Sequence, residues 1–279
     1  MKDRYIFTVA SGRCGQSSFA KVVNTHVDDC YGAFEEPSMN LRFAGALGVV
    51  ERSFRRRFVE THELLGRGKV LSAFDRRDES YLDKIVAKRL KLIEKKPGRI
   101  YFDVSKFFAR GLHRAFMRAC PGLGVVLLVR DPIQNMRSFL NRAKDYSLDN
   151  NMPEARSNIL RISSEDFEKG EFYLWIWCEL FLRYLALIEE FNVTSTAIIR
   201  TEDLNDADKM NAHFDALDLK HSPVVPKQPR NTNIEIGRGE TIISSTDVEL
   251  FERFLNRLPS EVIEKITYFD NYKPRDIWL

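Results

Sequence analysis

Hydrophobic positions along the chain follow two alternating rhythms. Short β-rich apolar runs at 5–10, 27–34, 99–104, 123–129 and 196–200 predict strands. Between them, apolar residues recur at helical spacing. Gln16–Asn24 turns Phe19, Val22 and Val23 inward, and 41–65 carries Phe43, Leu47, Val50, Phe54, Phe58 and Leu65 near that spacing. Glu79–Lys96 turns Leu82, Ile85, Val86, Leu90 and Ile93 inward and stops at Pro97-Gly98. Further helices are predicted over 109–119, from Pro132, over 171–191 (apolar on most sides, hence buried, with Trp175 and Trp177), 206–217, 246–257 and 260–267. Strand alternating with helix predicts an α/β fold, a mostly parallel central sheet flanked by helices. No repeat or linker divides the chain, so one domain spanning 1–279 is expected, with the helices around 38–97 as an insert. Residues 142–169, polar and broken at Asn150-Asn151-Met152-Pro153, predict a mobile loop or lid.

Composition narrows the class. Of 279 residues, 44% are hydrophobic and 30% charged, which is ordinary globular usage. The net charge of +3 gives no general nucleic-acid signal, although Arg52, Arg55, Arg56 and Arg57 cluster. Four cysteines without paired spacing predict reduced thiols in a cytoplasmic protein, neither a disulfide framework nor a metal site. The longest apolar run near Trp175 is too short for a membrane span, and oligomeric state is not legible.

The chemistry concentrates where strand gives way to helix. Ser11-Gly12-Arg13-Cys14-Gly15 breaks the first strand, and Gln16-Ser17-Ser18 opens the first helix. Free N–H groups and the positive end of the helix dipole converge there, and Arg13, Ser17 and Ser18 add a fixed charge and hydroxyl donors. Such a cradle suits phosphate. A nucleoside-triphosphate loop would place a lysine directly after the second glycine, where this chain has Gln16. At a helix N-terminus, Cys14 is expected to carry a lowered thiol pKa and to be sensitive to oxidation.

Two further patterns follow. Glu35-Glu36-Pro37 sets adjacent carboxylates before a proline, in extended geometry. Farther on, 123–129 ends in Arg130-Asp131-Pro132, and Ser138 stands eight residues after Arg130. Pro132 suits a helix first turn, so Arg130 at the strand edge and Ser138 two turns along are expected to reach one phosphate together.

Together these segments resemble the sulfotransferases that use 3′-phosphoadenosine 5′-phosphosulfate (PAPS), over residues 5 to about 204 and in the same order. The resemblance implies a fold like that of P-loop nucleotide kinases. Arg13-Cys14-Gly15-Gln16-Ser17-Ser18 is similar to the family's 5′-phosphosulfate loop, with Cys14 and Gln16 where serine or threonine is usual. Arg130 and Ser138 resemble its 3′-phosphate motif. Glu36 matches the glutamate assigned as base in the bacterial and carbohydrate-type branch. The run Asp103-Val104-Ser105-Lys106 lacks the histidine of the phenol and steroid branch. Arg238, or Arg230, in the proline-rich 221–240 loop stands where the family often has a cofactor-binding arginine. Thr201-Glu202-Asp203-Leu204 corresponds to an architectural Tyr-Glu-Asp-Leu. The implied reaction moves a sulfuryl group from PAPS to a hydroxyl, of a carbohydrate by analogy, releases adenosine 3′,5′-bisphosphate and needs no metal. Two alternatives remain open: a non-enzymatic nucleotide- or partner-binding protein of this fold, and an ATP-dependent kinase.

Overall fold

The structure, a computed structural model, describes residues 2–37, 45–58, 61–142, 152–225, 242–266 and 268–269. Five strands, β1 (Arg4–Val9), β2 (Cys30–Phe34), β3 (Ile100–Val104), β4 (Gly124–Val129) and β5 (Thr196–Arg200), form one sheet in the order β2-β3-β1-β4-β5. Every pairing is parallel; Phe7 stands opposite Asp103 on one side, and Ile6 opposite Gly124 on the other. Parallel strands need crossovers, and the crossovers cover both faces with helices, which is why the strands read as continuous apolar runs.

Alternation sorts the side chains. Ile6, Phe102, Val126, Leu128 and Ile199 meet Phe19 of α1 (Gln16–His26) and Met210 and Phe214 of α9 (Ala207–Ala216). Phe7, Val9, Tyr101, Val125 and Leu127 face the larger core. There lie α5 (Glu79–Ile93), α6 (His113–Ala119) and α8 (Lys169–Phe191), so α5 is a layer of the core. The predicted burial of the two α8 tryptophans holds. The Trp175 indole donates to Leu160 O at 2.9 Å, and that of Trp177 donates to Arg130 O at 2.9 Å. Among the described residues no helix is long and apolar enough to cross a membrane.

The helical pattern over 41–65 is met by α2 (Gly45–Phe58) and α3 (Thr61–Leu65). Two regions differ from the sequence reading. A further helix, α4 (Lys69–Asp75), was not anticipated; Gly66 and Gly68, both at positive φ, lie just before its start and mask a short periodicity. Residues 152–160 are not a free lid. Ile159 N and Leu160 N donate to the Glu179 carboxylate, Leu160 is buried, and the Asn158 amide donates to Met152 O at 2.6 Å. Local polarity concealed that anchorage because its acceptor lies on α8. After β4 comes α7 (Pro132–Leu140), and α10 (Ser245–Leu255) and α11 (Ser260–Lys265) close the described chain.

Candidate functional site

β1 and β4 are neighbours, so the segments leaving their C-terminal ends meet. After β1, residues 11–15 turn through positive φ at Gly12 (97°), Arg13 (61°) and Gly15 (81°), and α1 begins at Gln16. A β-carbon on Gly15 would lie 2.7 Å from Leu204 Cδ1, so the segment 201–205 closes against the loop and excludes a side chain there. Thr201 anchors that segment by donating to Val129 O at 3.1 Å. Asp203 accepts from Arg200 N at 2.9 Å and lies 3.2 Å from His213 Nε2, consistent with an architectural role.

The helix after β4 is stapled to the loop by a buried asparagine. Asn135 Nδ2 donates to Gly12 O at 2.7 Å, and Ser11 Oγ donates to Asn135 Oδ1 at 3.2 Å. Three residues on, hence on the same helix face, Ser138 Oγ accepts from Arg13 Nε at 3.1 Å. Arg130 lies at the end of β4, with its guanidinium donating to Gln134 Oε1 at 3.2 Å rather than to Ser138. Asp131 caps α7 by accepting from Gln134 N at 2.9 Å, and Pro132 occupies the first turn. Ser17 and Ser18 are exposed at the start of α1, while the buried Gln16 Nε2 has no hydrogen-bond partner. Arg238 and Arg230 lie outside the described residues.

Cys14 corrects an expectation. Its side chain is wholly buried, and burial pushes the thiol up to about 12, against the lowering effects of backbone N–H groups, Arg130 and Lys106. Loss of water outweighs the helix terminus, so the thiol is not activated. The same balance shows that Arg130 and Lys106 direct their fields onto this loop.

Lys106 went unassigned in the sequence. It follows β3, the other neighbour of β1, and its Cδ would lie 3.1 Å from a β-carbon on Gly12. Its ammonium is 3.3 Å from Glu35 Oε1. Burial pulls the lysine below its ordinary pKa, with Glu35 working in the opposite direction. Arg110, from the 3-10 turn Phe108–Arg110, donates to Ser11 O at 3.3 Å. Neither was legible, because both depend on which strand lies beside β1.

Glu36 sits past the end of β2, about one-fifth exposed, 2.5 Å from Lys96 Nζ. Its other oxygen accepts from Tyr31 OH at 2.6 Å, and Tyr31 stacks on Tyr101. The bond to Glu36 raises the Lys96 pKa. Beneath lie Asp103 and Arg89, a buried pair to which Tyr101 OH adds a donor at 3.3 Å. One rim of the sheet therefore carries a basic, hydroxyl-bearing cradle and, two strands away, a carboxylate held by a lysine and a tyrosine. That arrangement suits an anionic group on one side and a proton acceptor on the other. Among the described residues no group of three or more metal-ligating side chains occurs.

No protein-family model matches this chain, and no curated protein matches it. Solved structures do. The sulfotransferase domain from the curacin biosynthetic pathway superposes with a TM-score of 0.50 at 12% identity, over 98% of this chain and 100% of that one. A sulfotransferase from Alicyclobacillus acidocaldarius gives 0.43 at 14% identity, over 94% and 99%. The sulfotransferase domain of the Synechococcus PCC 7002 olefin synthase gives 0.46 at 14%, over 92% and 96%. At such identities the likeness is one of fold: the chain shares the α/β architecture of the curacin-pathway domain.

Proposed function

We propose that the protein is a PAPS-dependent sulfotransferase acting on a hydroxyl, with a carbohydrate as the acceptor class. The observation that carries this reading is the 3.1 Å contact between Arg13 and Ser138. Two segments that resemble phosphate-binding motifs, 125 residues apart, meet at one strand edge. The orphaned Gln16 amide and the exposed hydroxyls of Ser17 and Ser18 leave donors for an anion there. PAPS, when bound, supplies a sulfuryl group whose S–O bond to the 5′-phosphate breaks as a new S–O bond to the acceptor oxygen forms.

The roles follow from charge. Arg13, Ser17, Ser18 and the loop amides of Cys14, Gly15 and Gln16 hold the 5′-phosphate and stabilise the negative charge it gains. Lys106 adds, from the adjacent strand, the lysine charge that the loop itself lacks. Arg130, with Ser138, binds the 3′-phosphate and selects against ADP. Glu36 takes the acceptor's proton; its ties to Lys96 and Tyr31 orient the carboxylate and must loosen for the proton to arrive. Glu35 is a second candidate for that base, favoured by its contact with Lys106 on the cradle side.

Calorimetric titration with adenosine 3′,5′-bisphosphate and with ADP tests the cofactor side. Preferential binding of the bisphosphate, weakened roughly tenfold to a hundredfold in Arg130→Ala, is expected, since a hydrogen bond to a charged group contributes about 1.5–3 kcal/mol. Equal or absent binding of the two nucleotides would sink the reading. Sulfation assays over a panel of saccharides, with Glu36→Gln and Glu35→Gln side by side, then identify the base by which variant loses turnover.

A further inference from the structure

Beside α8 the surface opens into a cavity of about 230 Å³. It is walled by the C-terminal end of α4, the start of α6, residues 156–159 and the C-terminal half of α8. Four arginines, Arg77, Arg114, Arg156 and Arg183, come to it from four separate segments. Their duties differ. Arg183 lies in the floor with each of its three nitrogens engaged, on Glu179, Ala109 O and Asn158. Arg114 pairs with Glu190 at 2.8 Å. Arg77 and Arg156 are exposed at the mouth and have no carboxylate partner among the described residues. Of the nearby acids, Glu190 is taken by Arg114, and Asp75 accepts from Ser157 N at 3.0 Å.

The floor is formed in part by His113, which is buried. Burial first, then Arg183 and Arg114, hold this imidazole well below its ordinary pKa, so the ring is neutral. The ring packs edge-on against Phe74 and Phe108, which closes the floor.

We propose that this cavity is a second binding site, separate from the cradle, for a small anion bearing phosphate or carboxylate oxygens. Arg77 and Arg156 grip the oxyanion at the mouth as planar forks, over a floor closed by the neutral His113 ring and the engaged Arg183. The volume admits a molecule of several heavy atoms rather than a lone ion. Nothing here depends on sulfuryl transfer, since no lining residue belongs to the cradle.

The test is calorimetry with two probes, pyrophosphate and citrate, on the full chain in chloride buffer, using wild type, Arg13→Ala, Arg156→Glu and Arg77→Glu. The site requires at least one probe to bind wild type and Arg13→Ala alike and to weaken roughly tenfold or more in both mouth variants. Histidine side-chain NMR on the same samples adds a readout that nonspecific charge does not reproduce: the His113 ¹⁵N signals must shift on titration. Both mouth substitutions are at exposed positions, so unchanged thermal melting of the variants certifies their folding. Binding lost in Arg13→Ala and kept in the mouth variants would assign the anion to the cradle and overturn the proposal. So would the absence of binding by both probes, or a stationary His113 signal.

Discussion

Two arginine–carboxylate pairs lie sealed in the core on the α5, α6 and α8 face, and they are built to opposite standards. Glu179 and Arg183, one turn apart on α8, are satisfied throughout. The carboxylate accepts from Arg183 Nε at 2.5 Å and from the N–H groups of Ile159 and Leu160, while Arg183 also reaches Ala109 O and Asn158. Arg89 and Asp103 bond one another, yet Arg89 Nε and Nη1 and Asp103 Oδ1 have no hydrogen-bond partner, and beyond its carboxylate the guanidinium faces the rings of Phe7 and Phe116. Burial and the nearby Glu36 push the Asp103 carboxyl up, against the pull of Arg89. A satisfied pair is architecture: it fixes residues 158–160 against α8 and backs the anion cavity. An incompletely satisfied pair beneath the rim carboxylate is a place where the fold gives up stability beside its proposed chemistry.

The largest expected effect comes from breaking the satisfied pair. Glu179→Ala leaves Arg183 charged and two backbone N–H groups unmet in the core, and is expected to cost about 3–5 kcal/mol in urea unfolding. Asp103→Asn also leaves an arginine charged, but it keeps the side-chain shape and an oxygen that accepts from Arg89 and orphans no backbone group, so a smaller loss of about 1–3 kcal/mol is expected in the same assay. A loss matching that of Glu179→Ala would erase the contrast drawn between the pairs. The double variant Arg89→Met with Asp103→Leu sharpens it. Stability close to or above wild type is expected, because an apolar pair can replace a buried ionic one, together with reduced turnover if the pair orients Glu36 through Tyr101 and Tyr31.

His113, next to Arg183, gives a pH signature. Its folded pKa is depressed below the ordinary 6.5, so the unfolded state binds the proton more readily. The stability this neutral ring confers is complete above about pH 6.5 and is lost as pH falls. The difference between wild type and His113→Phe is expected to change by about 1.4 kcal/mol per pH unit below that point. A difference flat from pH 7 to 5 would show that the imidazole is not held neutral. The smallest effect concerns Cys14, where a thiol pushed up to about 12 and wholly buried predicts negligible alkylation of the native protein at pH 7.5. Mass spectrometry after iodoacetamide treatment reads this directly; prompt labelling of Cys14 would restore the reactive-thiol idea.

Residues 11–18 and 130–138 were legible because strand, turn and helix start are local events. Backbone conformation at Gly12 and Gly15, the Asp131 cap and Pro132 all answer to their immediate neighbours. The period-two and helical patterns likewise carried the α/β class, since burial on two faces leaves a mark in every strand. What the sequence by itself determined, then, is which segments are strands, which turn joins the first strand to the first helix and which carboxylates stand before Pro37. Only the tertiary structure decided that β3 lies beside β1, which brings Lys106 and Arg110 to the loop. It alone decided that Ser138 bonds Arg13 while Arg130 turns to Gln134, that Cys14 loses its water, and that residues 152–160 dock on α8. The reason is physical: strand order, desolvation and the meeting of charges from distant segments are properties of packed space, and no local stretch of chain encodes its own neighbours.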